Sequence, residues 1–329
     1  MQDSQHPYER LTPDLVLAAV ESRGFVVDAR QFPLNSYENR VYQVGVEQGP
    51  PWIVKFYRPQ RWSDAQIQEE HDFTWRLHDL EIPVSPPWRC PKGATLHCFE
   101  EFRFAMFPRI RGRDADLEDP DNLQVMGRYL ARIHLAGSGL AFRHRERLSV
   151  DARAAGARDF ILQQGFMPAE LLPAYESITA DLLNRIRDSF APLSKRGWQS
   201  IHGDCHLGNV LWQDGVPYFV DFDDTMTGPL MQDIWMLLSG NRDQRQAQLL
   251  EIAEGYNEFN DFPVAQLPLI ESLRTLRIMH YAGWLARRWQ DPAFPRHFPW
   301  FATPRYWSEH ILELREQQAA LDEEPLRLF

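Results

Sequence analysis

The side chains most capable of chemistry lie in two short segments of the second half of the chain. The first is residues 202–209 (HGDCHLGN) and the second is residues 221–224 (DFDD). Both segments follow short apolar runs, which predicts that each lies at the end of a β-strand. Phosphoryl transfer requires one carboxylate to orient an attacking hydroxyl and accept its proton, together with oxygen ligands for Mg²⁺. The two segments contain these groups.

Individual residues can be matched to these roles. Asp204 is predicted to be the catalytic base, and Asn209, five positions further on, brings an amide ligand from the same loop. Asp221 follows a predicted hairpin and would lie alongside as the second metal ligand. We interpret His202 as a scaffold residue and Asp233 as an acid that hydrogen-bonds this loop. For Asp224 we favour a helix cap.

One lysine and one glutamate stand out from their surroundings. Only three of the 35 basic residues are lysine, and Lys92 and Lys195 lie in turn-like segments, whereas Lys55 lies in an apolar strand-like run. Glu70 occupies an otherwise apolar helical stripe, so it needs a partner when buried. A strand lysine that binds ATP phosphates and a helix glutamate that holds it would explain both. Glu69 remains the alternative partner.

The predicted secondary structure changes near residue 110, from strands with a few helices to mainly helices. Before it we predict a helix that starts at residues 12–14 and a hairpin (41–46 and 52–57). A long helix (63–80) and two further strands (95–97 and 102–107) follow. After it we predict mainly helices, with a β insert at 198–224 (122–136, 169–190, 229–238, 242–259, 266–290, 304–321). We therefore predict an α+β fold with two lobes, a nucleotide-binding lobe over residues 1–110 and a catalytic and substrate lobe over residues 111–329.

Composition excludes several classes of protein. The 329-residue chain has a net charge of −11, so we expect neither nucleic acid nor a membrane as a partner. No apolar run approaches the ~18 residues of a membrane span. The opening residues lack a basic region and an apolar core, so we expect no secretory signal. Three cysteines without a CxxC pair indicate no disulfide framework and favour a cytoplasmic location.

The motifs resemble those of known kinases. The pattern H-G-D-x-H-x-x-N followed by V-D-F-D-D resembles the aminoglycoside phosphotransferase and choline kinase branch of the protein-kinase-like fold. Further segments resemble the bacterial stress response kinase A family, which are serine/threonine protein kinases of this fold: residues 33–42 (PLNSYENRVY), 54–59 (VKFYRP), 69–71 (EEH), 232–238 (QDIWMLL) and 291–295 (DPAFP). This resemblance spans nearly the whole chain.

The resemblance implies an activity and a set of site residues. It implies an ATP- and Mg²⁺-dependent enzyme that phosphorylates serine or threonine in protein substrates, the enzyme itself included, during a stress response. Asp204 and Asp221 are then the catalytic residues, Asn209 and Asp221 the metal ligands, and Ser36 an ATP contact. Ser36 is supplied by the resemblance alone. We expect the protein to act as a monomer.

Three other functions remain open. A metallohydrolase could use His202, Asp204 and His206, although few further histidines are close in sequence. A small-molecule kinase of the same fold could act on an aminoglycoside, choline or homoserine, and an acidic chain would suit a cationic acceptor. A catalytically inactive binding module is the third alternative. A loop at residues 35–39 (NSYEN) replaces the glycine-rich phosphate loop of protein kinases, and no long activation segment follows Asp221.

Overall fold

A five-stranded antiparallel sheet and two helices form the first part of the computed structural model, which describes residues 8–192 and 197–328. The sheet has the order β1-β2-β3-β5-β4. Its elements are α1 (Pro13–Glu21), β1 (Val27–Pro33), β2 (Arg40–Val46), β3 (Trp52–Phe56), α2 (Asp64–Asp79), β4 (His97–Phe99) and β5 (Phe102–Pro108). The predictions for the opening residues and for a turn at Lys195 lie outside the described residues.

Local sequence signals explain the two helices of this part. Thr12 caps α1, where its side chain accepts a hydrogen bond from the Leu15 amide, and a proline follows at the first helical position. Ser63 and Gln66 form a reciprocal capping box at the start of α2. The apolar stripe of α2 is buried and includes Glu70. Burial of this stripe fixes the rotation of α2 and directs Glu70 inward.

Helices and two small sheets make up the remainder of the described chain. The helices are α3 (Pro120–Gly137), α4 (Gly156–Gln164), α5 (Leu172–Phe190), α6 (Met231–Trp235), α7 (Arg242–Asn257), α8 (Ile270–Arg287), α9 (Ala293–His297) and α10 (Pro304–Ala320). The strands are β6 (Arg113–Asp114), β7 (Trp198–Ile201), β8 (Val210–Gln213), β9 (Val216–Phe219) and β10 (Met226–Pro229). They pair as β10-β7 and β6-β8-β9. In the part of the chain that the structure describes, no helix is both long and apolar enough to cross a membrane.

The α+β architecture with a sheet-containing lobe and a helical lobe is confirmed. The hairpin and the long helices are present with small differences at their ends. Five elements of the described chain were not predicted, namely β1, β6, α4, β10 and α9, of which β1 and α4 are the longest. The edge strand β1 carries a register shift between Val27 and Gln31 that breaks the alternating pattern, and α4 has no side-chain cap and continues from a π-helical turn at Asp151–Ala155. The lobe boundary at residue 110 stays a prediction.

Two glycines allow α3 and α7 to pack closely in the large core of the helical part. A Cβ atom on Gly127 would overlap the carbonyl oxygen of Ile252, and one on Gly255 would overlap that of Gln124. Glycine is therefore required here by the approach of two backbones. The α3–α7 contact also supports α6, because α3 carries His134, which contacts Asp233 of α6.

Replacement of Gly127 by alanine is expected to lower the free energy of unfolding by about 1–3 kcal/mol, because the added methyl group overpacks the helix contact. Urea unfolding followed by circular dichroism measures this. Gly156→Ala in α4 is the matched control. Its Cβ would meet only Arg287 Nη2 at 3.4 Å and the Asp151 carbonyl at 3.5 Å. The control is expected to gain ~0.4–1 kcal/mol from reduced chain entropy. Equal effects would contradict the packing argument.

Candidate active site

A cavity of about 420 Å³ brings together residues from distant parts of the chain. Lys55 from β3 and Glu70 from α2 line one side of it. Asn209 and Asp221, from the two polar segments, line the other side, and Ser36 lies at the edge formed by the loop before β2. The structure thus places five of the six predicted site residues around one space, and Asp204 precedes Asn209 in the same loop.

Lys55 is the centre of the charge cluster in this cavity. Its ammonium nitrogen lies 3.0 Å from Asp223, 3.1 Å from Glu70 and 3.2 Å from Asp221. The residue is only 5% exposed. Burial alone would lower the pKa of Lys55, but the carboxylates of Asp223, Glu70 and Asp221 raise this pKa well above its ordinary value. Lys55 therefore remains a cation.

The two adjacent glutamates of α2 have different partners. Glu70 binds Lys55 with one carboxylate oxygen, and its other oxygen accepts a hydrogen bond from Arg145 Nη2 at 2.9 Å. Glu69 instead accepts hydrogen bonds from three consecutive backbone N–H groups, those of residues 143–145. These donors outweigh burial and lower the pKa of Glu69. Glu69 thus fixes the segment that carries Arg145, and Glu70 is the partner of Lys55.

The acids that follow Asp221 bind arginine. Arg61 forms ion pairs with Asp223 and with Asp224, the latter at 2.7 Å. Arg145 Nη1 donates a hydrogen bond to the Asp223 carbonyl at 2.8 Å. The prediction that Asp224 caps a helix is wrong, because β10 separates it from α6. Burial opposes ionisation of Asp223, but Arg61, Lys55 and Arg145 hold its pKa well below the usual range.

Asp233 fixes the loop that carries Asp204 through hydrogen bonds to its backbone. The buried Asp233 carboxylate accepts hydrogen bonds from the backbone N–H groups of His202 and Gly203, both at 2.8 Å. His134 Nε2 lies 3.3 Å from the same carboxylate. His202 Nε2 is 3.0 Å from the Val220 carbonyl and connects this loop to the segment that begins at Asp221. The geometry matches the scaffold roles predicted for His202 and Asp233.

Asp204 lies at a more open position than Lys55. One carboxylate oxygen is bound by the guanidinium of Arg277 from α8, and the other lies 3.4 Å from His206 Nε2. Burial would raise the pKa of Asp204, but His206 and Arg277 hold it well below the usual range. Asp204 is therefore ionised at neutral pH, with both oxygens already in contact with donors.

Asn209 and Asp221 have the groups that a magnesium ion accepts. The Asn209 side-chain NH₂ donates to the Asp204 carbonyl at 3.0 Å, and its amide oxygen has no partner among the described residues. Asp221 has φ 58° and ψ 65°, a left-handed conformation that costs ~1–2 kcal/mol for an L-residue. The Val220 amide anchors this turn by a hydrogen bond to the Asn209 carbonyl. The donor set and its place beside Lys55 fit a magnesium–phosphate group.

Ser36 lies at the cavity edge, and its hydroxyl donates to the Asn39 carbonyl at 3.1 Å. The loop that carries Ser36 is attached to α8 through Glu38, which accepts a hydrogen bond from Trp284 at 2.7 Å and pairs with Arg288. Ser36 therefore lies in the same cavity as Lys55, and its contact with ATP stays a prediction.

The histidines needed for a metallohydrolase are occupied elsewhere. His202 uses Nε2 on the Val220 carbonyl, and its Nδ1 lies 3.4 Å from the Asp204 amide. His206 Nδ1 accepts from the Gly208 amide. Over residues 8–192 and 197–328, no three His, Cys, Asp or Glu side chains are grouped so that they could hold a metal ion. This weighs against the metallohydrolase alternative.

Three arginines of the site were not predicted from the sequence, namely Arg61, Arg145 and Arg277. All but three of the 35 basic residues are arginine, so no arginine differs from the others by type.

Cys205, beside Asp204, is buried, and burial raises the pKa of its thiol well above the ordinary value. The thiol is unreactive at neutral pH, as expected for a residue that fills space.

Comparisons with a family profile and with individual proteins both identify this chain as a phosphotransferase. A profile of the phosphotransferase enzyme family matches residues 29–267. The chain is 40% identical to stress response kinase A of Escherichia coli (strain K12), and the match covers 100% of this chain and 99% of that protein. It is also 40% identical, with the same coverage, to the serine/threonine protein kinase RdoA of Salmonella typhimurium (strain LT2).

Solved structures with the same fold act on small molecules according to their names. An amicoumacin kinase, in complex with AMP-PNP, Ca²⁺ and Ami, has a TM-score of 0.74 at 19% identity, and the match covers 96% of this chain and 95% of that chain. A microcompartment-associated aminopropanol kinase has a TM-score of 0.68 at 18% identity, with 96% and 100% coverage. At these identities the likeness shows the fold.

Substitution of the buried Asp233 by asparagine is expected to lower the free energy of unfolding by about 1–3 kcal/mol. The amide replaces one acceptor by a donor, and the backbone N–H of His202 or Gly203 then loses its partner. The control is Asp243→Asn, since Asp243 is also a first-turn acid but is exposed in α7. This control should change the value by less than ~0.5 kcal/mol. Urea unfolding of both variants is the measurement, and a tolerant Asp233 would contradict the scaffold role.

Proposed function

The chain belongs to the phosphotransferase enzyme family, and we propose that it transfers the γ-phosphate of Mg²⁺·ATP to serine or threonine hydroxyl groups of proteins, itself included, in a stress response. The observation that carries the proposal is that one cavity contains the Lys55–Glu70 pair together with Asn209 and Asp221, the latter in contact with Lys55. The protein acceptor is supported by the name of the full-length relative RdoA, a serine/threonine protein kinase at 40% identity, and the stress response by the name of stress response kinase A. We further propose a cytoplasmic monomer.

The cavity supports a nucleotide site between residues 1–110 and the rest of the chain. Its volume of about 420 Å³ lies in the range typical of small-molecule sites. Ile53, Phe107 and Leu211 supply apolar walls for a purine. Lys55 lies beyond these walls, where the phosphates of a nucleotide would extend. Ser36 would contact a phosphate oxygen through its hydroxyl after leaving the Asn39 carbonyl.

Asn209 and Asp221 would hold the magnesium ion through one amide oxygen and one carboxylate. Bound there, the ion would neutralise charge on the phosphate oxygens. Lys55 would exchange its contact with Asp221 for a phosphate oxygen and keep its contacts with Glu70 and Asp223. Arg145 and Arg61 already pair with these two acids, so the exchange leaves no buried carboxylate without a partner.

Asp204 would act on the acceptor. Its ionised carboxylate accepts a hydrogen bond from the acceptor hydroxyl and orients the oxygen toward the γ-phosphorus. A new bond forms between the hydroxyl oxygen and phosphorus, the bond to the β-phosphate oxygen breaks, and the hydroxyl proton passes to Asp204. The proton moves late, because bonding to phosphorus makes the hydroxyl acidic.

A small-molecule kinase is the second candidate, because solved structures of this fold include kinases named for amicoumacin and aminopropanol. The catalytic groups are the same for either acceptor. The two candidates differ only in what approaches Asp204 from outside the cavity.

Magnesium titrations of Asp204→Asn and Asp221→Asn are expected to give different results. Asp204→Asn should lower the rate by ~10²–10⁴-fold with little change in the magnesium concentration for half-maximal rate, because the orienting base is lost. Asp221→Asn should lower the rate and raise that concentration, because a metal ligand is weakened. Initial rates of ATP turnover measure both effects.

Lys55→Ala belongs in the same experiment and should raise the KM for ATP as well as lower the rate. Lys92→Ala, an exposed turn lysine, is its control and should keep wild-type kinetics. Circular dichroism confirms that each variant folds. Wild-type rates in Asp204→Asn and Asp221→Asn would show that the loops that carry these two aspartates are structural.

The acceptor class is tested by a direct comparison. Labelled ATP is supplied with dephosphorylated casein or a cell extract, and separately with choline, aminopropanol and aminoglycosides. We expect phosphoserine or phosphothreonine on protein and slow transfer to the small alcohols. Asp204→Asn is included to identify label that depends on the site. Efficient turnover of one small alcohol, with no labelled protein, would favour the second candidate.

A further inference from the structure

The entrance to the Asp204 carboxylate is occupied by an arginine. The guanidinium of Arg277 binds an Asp204 oxygen directly. The Arg277 side chain is 43% exposed, whereas that of Asp204 is 22% exposed, so the arginine lies on the solvent side of the pair. An acceptor hydroxyl must bind the same carboxylate. The acceptor hydroxyl and Arg277 therefore compete for that carboxylate.

The other carboxylates of the site are already paired with donors. Asp223 and Asp224 are paired with Arg61, and Glu38 is paired with Arg288 and hydrogen-bonded by Trp284. His206 lies against the second oxygen of Asp204. Arg153 acts electrostatically on Asp224. Each carboxylate of this group is already matched by a donor, although the whole chain has a net charge of −11.

This arrangement has opposite consequences for cationic and anionic acceptors. A cationic acceptor would be repelled by the displaced guanidinium, and the nearby carboxylates could not bind it because they are already paired with donors. An acceptor that carries a carboxylate beside its hydroxyl offers Arg277 a replacement for Asp204, because a guanidinium can bind a carboxylate through two parallel hydrogen bonds. The hydroxyl then takes the place of the guanidinium on Asp204, and no ion pair is lost.

We propose that Arg277 is a specificity-determining residue that binds an aspartate or glutamate carboxylate next to the acceptor serine or threonine. The enzyme then prefers acidic peptide segments as acceptors. This inference rests on the proposed protein kinase function and specifies its substrate class. Arg277 contributes by an exchange of partners, from Asp204 in the free enzyme to the carboxylate of the bound peptide.

The test uses a positional-scanning peptide library. Each peptide has one central serine or threonine and one flanking position fixed as Asp, Asn or Lys. For the wild-type enzyme we expect kcat/KM for Asp to exceed that for Asn by about tenfold at one or more positions, the fold-change given by one charge-assisted hydrogen bond. Lys at the same position should be the poorest of the three.

Two variants of Arg277 make the prediction specific. In Arg277→Gln the Asp-to-Asn ratio should fall to near one, mainly through KM for the Asp peptide. In Arg277→Glu the preference should reverse toward Lys. Arg305→Gln is the control, because Arg305 is an exposed arginine that pairs with Glu309 on α10, and it should keep the wild-type ratio. A merely structural role of Arg277 would change all peptides alike.

The outcomes separate this inference from the proposed function. Phosphorylated peptides without an acidic preference, or a preference that persists in Arg277→Gln, would overturn the role of Arg277 and leave a protein kinase. No phosphorylation of any peptide, with transfer to a small alcohol, would overturn the protein acceptor and this inference together.

Discussion

The ion-pair cluster around the buried Lys55 is the interaction on which the site depends. Its ammonium contacts carboxylates from three positions in the chain, one on α2 and two that follow β9. A buried cation is costly unless it is paired, so the sheet, α2 and the polar segment at residues 221–224 must come together for the fold to form. The same contacts that stabilise the fold therefore assemble the cavity.

The arginines around this cluster determine which of its members can change partners. Arg145 and Arg61 bind Glu70 and Asp223 independently of Lys55, and Glu69 holds the segment that carries Arg145. Lys55 and the more exposed Asp221 can then separate when a phosphate and a metal ion take their places. In the proposed function, binding of nucleotide is thus an exchange of ion pairs within a fixed frame.

The nucleotide side and the acceptor side of the site differ in charge. Carboxylates surround Lys55, whereas Arg277 and His206 contact the oxygens of Asp204. The net charge of −11 suggests a site for cations, but local pairing neutralises the carboxylate of Asp204 and the acids beside it. Total charge describes the average surface, and the few groups within ~10 Å of the reacting hydroxyl decide which acceptor is favoured.

Groups that depend on a local sequence pattern could be predicted before the structure was known. The spacing of Asp204, Asn209 and Asp221, the lysine in an apolar strand, the acid on an apolar helix face and the capped helices were all readable, because each depends on neighbours within one element. The resemblance to known kinases added Ser36. Only the tertiary structure decided that Glu70 binds Lys55, that Arg61 binds Asp224, and that Arg277 contacts Asp204. Arg61 and Asp224 are 163 positions apart, and Arg277 and Asp204 are 73 apart. Long arginine side chains can reach many partners, so their contacts follow from how the elements pack and carry no local signal.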